Sequence, residues 1–170
     1  HFTVEPPRAR TPEYPAQILH KLKWVAAVGK KLNVDAVVST GDLFHRKSPT
    51  EADVTAMIHA CRAMPNGVLY SVLGNHDTSE PGNIKGTAYE CLMAARVVRD
   101  FSRATVQCGD IIVTGAPYLP ESQTDYSAKE PRTDHEIRVT HGMLVDRPDM
   151  PFESTYPGDA EKMGQRPWLL

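Results

Sequence analysis

The chain has 170 residues, of which 41% are hydrophobic and 24% are charged, so it can bury the core of about one domain. Its formal net charge of −2 excludes a polycation that binds nucleic acid by bulk charge, so any phosphate chemistry must be local. Three cysteines without CxxC spacing indicate reduced thiols, and the longest apolar runs are shorter than the roughly 20 residues of a membrane helix. We therefore expect a cytoplasmic protein that does not enter a membrane.

Basic residues are concentrated in the first fifty positions, which hold eight Lys or Arg against four Asp or Glu. A local phosphate-binding surface predicts such an excess, but a solvated helix face produces the same count. Both interpretations stay open at the level of sequence.

The first half of the chain alternates between helical and strand patterns. Apolar residues recur at helical spacing in residues 11–33, with Thr11 and Pro12 as start signals and Asn33 as a stop signal. A short, continuously apolar run, "DAVVST", predicts a strand at residues 35–40. The pattern then repeats, with a helix predicted at residues 48–64 and a strand at residues 66–73.

The second half begins with a third predicted helix, "TAYECLMAARVVRDF", at residues 87–101. Gly109 and Asp110 separate two strand-like runs, "ATVQC" and "IIVTGAP", and this spacing predicts a two-residue hairpin. A last strand, "EIRVT", follows at residues 136–140. Strands that alternate with helices predict an α/β fold with a largely parallel sheet covered on both faces, to which the hairpin adds antiparallel strands.

Polar residues directly follow three of the predicted strands. Gly41 and Asp42 come after the first strand, "GNHD" at residues 74–77 comes after the second, and His141 comes after "EIRVT". Each feature alone is weak evidence, because a Gly-Asp pair is often only a turn and a single histidine is usually a packed or surface residue. Their common position is stronger evidence, since the carboxyl ends of strands meet at the edge of an open α/β sheet where ligands bind.

The residue types at this edge suit metal-assisted phosphate chemistry. A carboxylate such as Asp42 can bridge two divalent cations, an Asn carbonyl oxygen adds a neutral ligand, and imidazoles such as His1 and His141 bind transition metals better than magnesium. Two such ions about 3.5–4 Å apart can activate a water molecule and clamp a phosphate for in-line displacement. His76, if it is not a ligand, can donate a proton to the departing alkoxide.

The motifs "GDLFHR", "GNHD" and "THG", each after a strand, resemble the calcineurin-like metallophosphoesterase superfamily, whose signature runs D-x-H, GD, GNH[DE], H and G-H-x-H. The extra histidine of "GDLFH" is similar to the DNA-repair nuclease branch typified by SbcD. The resemblance covers the chain essentially end to end and implies a layered α/β sandwich with central, mostly parallel sheets flanked by helices. The Asp of D-x-H and the final G-H-x-H do not occur in the sequence. We therefore expect residues 1–170 to form a single domain, truncated at both ends, that lacks its first strand and last metal-binding motif.

The resemblance also implies which residues bind metal. Asp42 would bridge two divalent ions, with His1 on the first ion and both Asn75 and His141 on the second. Mn²⁺ is the expected ion, with Fe²⁺, Zn²⁺ and Mg²⁺ as alternatives.

Two further histidines are implied to act on the substrate. His76 would be the catalytic histidine that protonates the leaving group, and His45 would support both His76 and the scissile phosphate. Asp77 would orient its neighbours without touching metal. Arg46 and Lys47 would either lie near a nucleic-acid backbone or form an exposed pair without function.

Three functions remain open on the sequence alone. The first is a manganese-dependent DNA exonuclease or endonuclease with an SbcC-like ATPase partner, and a homodimer is a further arrangement to be considered. The second is a phosphoesterase on the same fold that acts on cyclic nucleotides, phosphoproteins or small phosphate esters. The third is an inactive scaffold that kept the fold. His45 favours the first function, although this is an analogy at the level of the family branch.

Overall fold

The computed structural model describes Phe2 and residues 13–46, 48–80, 82–102, 104–118 and 135–141. The helices in these ranges are α1 (Tyr14–Lys31), α2 (Glu51–Arg62) and α3 (Ala88–Ala94), and a short 3-10 helix spans Pro65–Gly67. The strands are β1 (Val38–Ser39), β2 (Leu69–Ser71), β3 (Val98–Asp100), β4 (Thr105–Cys108), β5 (Ile111–Ala116) and β6 (Glu136–Thr140). No described helix is long and apolar enough to cross a membrane.

The first sheet contains β1, β2 and β3 in that order, and all of its strands are parallel. Val38 of β1 pairs with Tyr70 of β2, and Leu69 of β2 pairs with Val98 of β3. Parallel neighbours require crossover connections, which α2 supplies between β1 and β2 and α3 supplies between β2 and β3. The carboxyl ends of all three strands therefore lie at the same edge of the sheet.

The second sheet contains β4, β5 and β6. β4 and β5 form the antiparallel hairpin that the sequence predicts around Gly109 and Asp110, and β6 pairs with β5 in parallel. A Cβ atom on Gly115 of β5 would overlap the backbone carbonyl of Phe101, so this glycine allows β5 to approach the end of the first sheet. β6 runs from Glu136 to Thr140 and delivers His141 at its carboxyl end.

Side chains of β2 alternate between two apolar layers. Leu69 faces the helices and packs in a core that also contains residues of α1, α2 and α3. Tyr70 and Val72 face the other way and pack with Phe101 and with Val113 of β5. The layers thus follow the order helices, first sheet and second sheet. This arrangement confirms the predicted α/β fold of mostly parallel sheets with flanking helices.

The third predicted helix is wrong in its second half. α3 ends at Ala94, Arg96 has a left-handed φ of 57°, and β3 follows at Val98–Asp100. The apolar spacing of "ARVVRDF" fits a helix, but the β-branched Val97 and Val98 also suit a buried strand. Pairing with β2 decides between the two structures, and sequence periodicity alone does not contain that information.

Helix ends fix the loops on either side of β1. Asn33 follows α1 with a left-handed φ of 50°, in agreement with the predicted stop signal. Thr50 and Asp53 form a reciprocal capping box at the start of α2, where each side chain accepts a hydrogen bond from the other residue's backbone N–H group. The loop between β1 and α2, which carries Asp42 and His45, is therefore held at its far end.

Candidate active site

The first loop of the site follows β1. Gly41 and Asp42 have φ angles of 96° and 54°, so both residues lie in the left-handed region. Glycine enters this region freely, and Asp is one of the few other residues that visit it. The turn carries the chain out of the sheet, and the Asp42 residue is only 5% exposed.

The second loop follows β2 and packs tightly against the first. A Cβ atom on Gly74 would overlap the Asp42 carboxylate, and a Cβ atom on Gly41 would lie 2.7 Å from the Gly74 backbone nitrogen. Neither loop has room for a side chain at these positions. The two loops reach this separation because both positions are glycine.

Asp77 joins the two loops by hydrogen bonds. Its carboxylate accepts the backbone N–H groups of Asp42 at 2.7 Å, Leu43 at 3.0 Å and Gly74 at 3.0 Å, and the residue is 2% exposed. Burial raises the pKa of Asp77 to about 6, and the charge of Asp42 adds to the rise, while the three N–H groups oppose it. The structure thus places Asp77 where it fixes the position of Asp42 through the backbone.

Three candidate ligand atoms converge in front of these loops. The His141 Nε2 atom lies 3.1 Å from Asn75 Oδ1 and 3.4 Å from Asp42 Oδ2, and the His141 side chain is 18% exposed. The other ring nitrogen, Nδ1, lies 2.7 Å from the Thr40 carbonyl oxygen. A carbonyl oxygen can only accept a hydrogen bond, so Nδ1 carries a proton. In the neutral ring, Nε2 therefore directs a lone pair towards two oxygen atoms that carry lone pairs themselves.

This arrangement fits a divalent cation. A second ring proton, a rotated Asn75 amide that donates its NH₂ group, or a cation satisfies these contacts, and one imidazole nitrogen with two oxygens is a donor set for Mn²⁺, Fe²⁺ or Zn²⁺. In the described ranges, no group of three or more His, Cys, Asp or Glu side chains is placed to hold a metal ion. The cluster has only two such side chains, because its third member is the Asn75 amide. His1, the remaining expected ligand, lies outside the described residues.

Two histidine rings stack beside Asp42. The centroids of the His45 and His76 rings are 5.0 Å apart, with an angle of 28° between the ring planes. The backbone N–H group of His76 donates to Asp42 Oδ1 at 2.9 Å, so this histidine contacts the carboxylate through its main chain. The backbone N–H group of His45 donates to the Phe2 carbonyl at 2.8 Å, and Phe2 forms a parallel bridge with Phe44. The structure therefore brings both expected catalytic side chains to the edge that carries Asp42.

Tyr118 is a neighbour of His141 that the sequence does not reveal. Its ring meets the His141 ring edge to face with 6.0 Å between centroids, and its backbone N–H group donates to the Leu73 carbonyl at 2.8 Å. This second contact ties the segment after β5 to the end of β2. The Thr40 carbonyl was also missed, since a backbone acceptor leaves no signal in residue identity.

Two more predicted positions are only partly described. Arg46 is exposed, whereas Lys47 lies outside the described residues. Five of the six predicted metal and catalytic residues thus lie at one edge of the fold, and their chemical roles stay predictions. They are Asp42, His45, Asn75, His76 and His141.

Comparison with known proteins identifies similar chains. A family model described as calcineurin-like phosphoesterase matches residues 13–162. The DNA double-strand break repair protein Mre11 of Halobacterium salinarum is 29% identical over 120 residues, which cover 68% of this chain and 30% of that protein. Mre11 of Haloferax volcanii is 27% identical over 140 residues, which cover 79% of this chain and 31% of that protein. Mre11 of Methanosarcina mazei is 26% identical over 127 residues, with 69% of this chain and 20% of that protein covered.

Proposed function

Because the chain belongs to the calcineurin-like phosphoesterase family, we propose that it hydrolyses phosphodiester bonds with the help of divalent metal ions and that its substrate is DNA. The observation that carries the proposal is the convergence of Asp42, Asn75 and His141 beside the stacked pair of His45 and His76. Metal-assisted hydrolysis of a phosphate ester uses residues that bind the metal ions and a nearby group that transfers a proton. The three convergent residues and the two imidazoles fit these roles.

Asp42, Asn75, His141 and the undescribed His1 are the proposed metal ligands. When bound, divalent cations neutralise charge on the phosphate and activate the attacking water, with Mn²⁺ as the preferred ion. Asp42 holds one carboxylate oxygen close to His141 and uses the other to accept the backbone N–H group of His76. The Thr40 carbonyl accepts a hydrogen bond from Nδ1 of His141, so Nε2 is the ring nitrogen that faces the other proposed ligands.

His76 is the proposed proton donor. Its backbone is anchored to Asp42, so its side chain is available to protonate the departing oxygen of the substrate. His45 stacks on the His76 ring and restricts its orientation, and its exposed position supports contact with the phosphate. In this proposal, His76 transfers the proton and His45 positions the phosphate.

A role in DNA repair is supported by the relatives, whose names describe DNA double-strand break repair proteins. The chain spans 30% and 31% of the length of the first two relatives, so activity on DNA, an SbcC-like ATPase partner and a homodimer are proposals for the whole protein. A cytoplasmic location is a further proposal. It is supported by the three free cysteines, which are typical of a reducing compartment.

The test uses the full natural protein, stripped of metal by a chelator and then supplied with Mn²⁺. We expect cleavage of single- or double-stranded DNA and of bis-p-nitrophenyl phosphate with Mn²⁺ and no cleavage with excess chelator. Asp42→Asn should lower Mn²⁺ occupancy and both activities together, because the amide removes the negative charge of the carboxylate, while the left-handed backbone still accepts Asn.

Asp110→Asn is the matched control for this substitution. Asp110 is an exposed carboxylate in the turn of the β4–β5 hairpin, so its loss should leave Mn²⁺ binding and both activities unchanged. Full activity of Asp42→Asn contradicts the proposed metal role. Hydrolysis of cyclic nucleotides or phosphoproteins without DNA cleavage would assign the second function instead, and a metal-free, inert protein would assign the scaffold.

A further inference from the structure

The outward face of α1 is strongly basic. The apolar stripe of this helix, which includes Leu22 and Ala26, packs into the core beneath it. Tyr14–Lys31 contains no Asp or Glu, and its four lysines are all exposed. They are Lys21, Lys23, Lys30 and Lys31.

Trp24 stands in the middle of this outward face and is 62% exposed. Seven residues are about 20° short of two helical turns, so Gln17, Trp24 and Lys31 form one line along the helix. Lys21 lies one turn before Trp24 on the same face. A large aromatic side chain in water contributes nothing to the core, so folding does not explain its position among the lysines.

The helix dipole explains only part of the charge. Lys30 and Lys31 lie in the last turn, where cations stabilise the carboxyl end of a helix. Lys21 and Lys23 lie more than one turn before that end and receive little of this effect. The central lysines and Trp24 therefore need another explanation.

The core-facing side of α1 lies close to the loop that carries Asp42. A cavity of about 340 Å³ lies between α1 and the loop after β1, and its lining includes Ile18, Leu22 and Val25 as well as Gly41 and Asp42. An α-helix with its side chains is about 10–12 Å across, so the outward face lies about that distance from this cavity. An extended nucleic-acid strand can bridge such a distance in a few nucleotides.

We propose that the outward face of α1 binds single-stranded nucleic acid, with Trp24 stacking on an unpaired base and Lys21 and Lys31 neutralising phosphates. The inference rests on the proposed function, since it assigns this strand to the same DNA substrate. Proteins that bind single strands combine a basic surface with aromatic rings in this way. A membrane surface fits less well, because the apolar stripe of α1 is packed in the core and Trp24 is the single large apolar side chain at the centre of the outward face.

The binding test follows the fluorescence of Trp24. The emission of Trp24 is the part of the tryptophan fluorescence that Trp24→Phe removes, which separates it from Trp168 and any other tryptophan. Titration with a short oligothymidylate in chelator, which prevents cleavage, should quench this emission. Trp24→Ala, followed by anisotropy of labelled oligothymidylate, should weaken binding about 5- to 100-fold, and Trp24→Tyr should restore part of the affinity.

Salt dependence tests the lysines. Each phosphate contact contributes about 0.7 to the slope of log affinity against log salt for a single strand. Lys21→Gln and Lys31→Gln should each reduce the slope by about that amount. Lys23→Gln and Lys30→Gln are the matched controls on the same helix, because these two lysines lie about 100° and 120° around the helix from Trp24, and their substitution should leave the slope unchanged.

The two proposals fail in different ways. Trp24→Ala should leave hydrolysis of bis-p-nitrophenyl phosphate intact, whereas Asp42→Asn should lower it. Active protein without quenching of Trp24 overturns this inference alone, and protein that quenches but hydrolyses nothing overturns the proposed function. Two other results would overturn the inference. Equal quenching of Trp24 by polyglutamate would indicate an acidic protein as the partner. A blue shift of the emission with phosphatidylglycerol vesicles, and none with oligothymidylate, would indicate a membrane.

Discussion

At the scale of single residues, some residues of the candidate site contact their neighbours through side-chain atoms and others through backbone atoms. Asp42 and His141 face each other through side-chain atoms, whereas His76 contacts Asp42 through its backbone N–H group. A substitution of His76 therefore removes its imidazole and keeps its hydrogen bond to Asp42. This distinction makes proton transfer and metal binding separable by experiment.

We expect His76→Ala to keep near-normal Mn²⁺ content and to lose about 10²–10⁴ in rate, which is the usual contribution of a general acid. Metal analysis of the purified variant beside a DNA-cleavage assay measures both quantities. His59→Ala, an exposed histidine on α2, should change neither. Loss of Mn²⁺ from His76→Ala would show that the imidazole is a ligand.

Asp77 is the second residue whose substitution can be tested, here through protein stability and Mn²⁺ affinity. Its two carboxylate oxygens accept three backbone N–H groups, and Asn offers a single acceptor oxygen and an NH₂ group in the same space. At least one buried donor then loses its partner, at a cost of about 1–3 kcal/mol. We expect Asp77→Asn to lower the free energy of unfolding in urea by that amount and to weaken Mn²⁺ binding, because Asp42 loses its support.

The Asp110→Asn control should stay within about 0.5 kcal/mol of the original protein in the same urea titration, since Asp110 is exposed. An Asp77→Asn protein that matched this control in both stability and Mn²⁺ affinity would contradict the supporting role.

At the scale of elements, the site depends on the close approach of the loops after β1 and β2. We expect Gly74→Ala to cost about 1–3 kcal/mol of stability, because the added methyl group overlaps the Asp42 carboxylate and the packed loops must shift. The same shift should weaken Mn²⁺ binding, which isothermal titration calorimetry measures.

Gly86→Ala is a control that introduces backbone strain without overlap between the added methyl group and its surroundings. Gly86 has a left-handed φ of 75°, but a Cβ atom there would meet nothing within 4 Å. Its substitution should cost about 1–2 kcal/mol and leave Mn²⁺ affinity unchanged. Equal effects of both variants on Mn²⁺ affinity would mean that the Gly74 contact does not position Asp42.

Much of the element order was predictable from the sequence, because strands with short apolar runs and helices with a 3.6-residue period have distinct patterns. The end of α3 was not, since the same residues suit both patterns and only pairing with β2 selects a strand. The placement of Asp42 and Asn75 at one edge followed from the parallel order of β1 and β2, whereas His141 comes from the second sheet. The contacts of His141 with Thr40 and Tyr118 depend on how the two sheets pack, which no local pattern encodes.

At the scale of the whole molecule, two separate sheets supply the candidate site. The first sheet provides Asp42, Asn75 and His76 from the ends of β1 and β2, and the second provides His141 from the end of β6. The small cluster of Val72, Phe101 and Val113 holds the sheets together. The geometry of the ligand atoms is therefore a property of the packed pair of sheets.

The hydrogen bond between His141 and Thr40 spans 101 positions of the chain, and that between Asp42 and Asp77 spans 35. Contacts of such large sequence separation form only after long loops have closed, so the cluster should be complete late in folding. Mn²⁺ should then leave the refolding rate unchanged and slow unfolding, by about 100-fold at a concentration 100 times its dissociation constant. Stopped-flow urea jumps with Mn²⁺ or chelator measure both rates, and faster refolding with Mn²⁺ would place the cluster in the transition state. A bound ion would thus stabilise the native state kinetically, by slowing unfolding, without guiding the chain towards it.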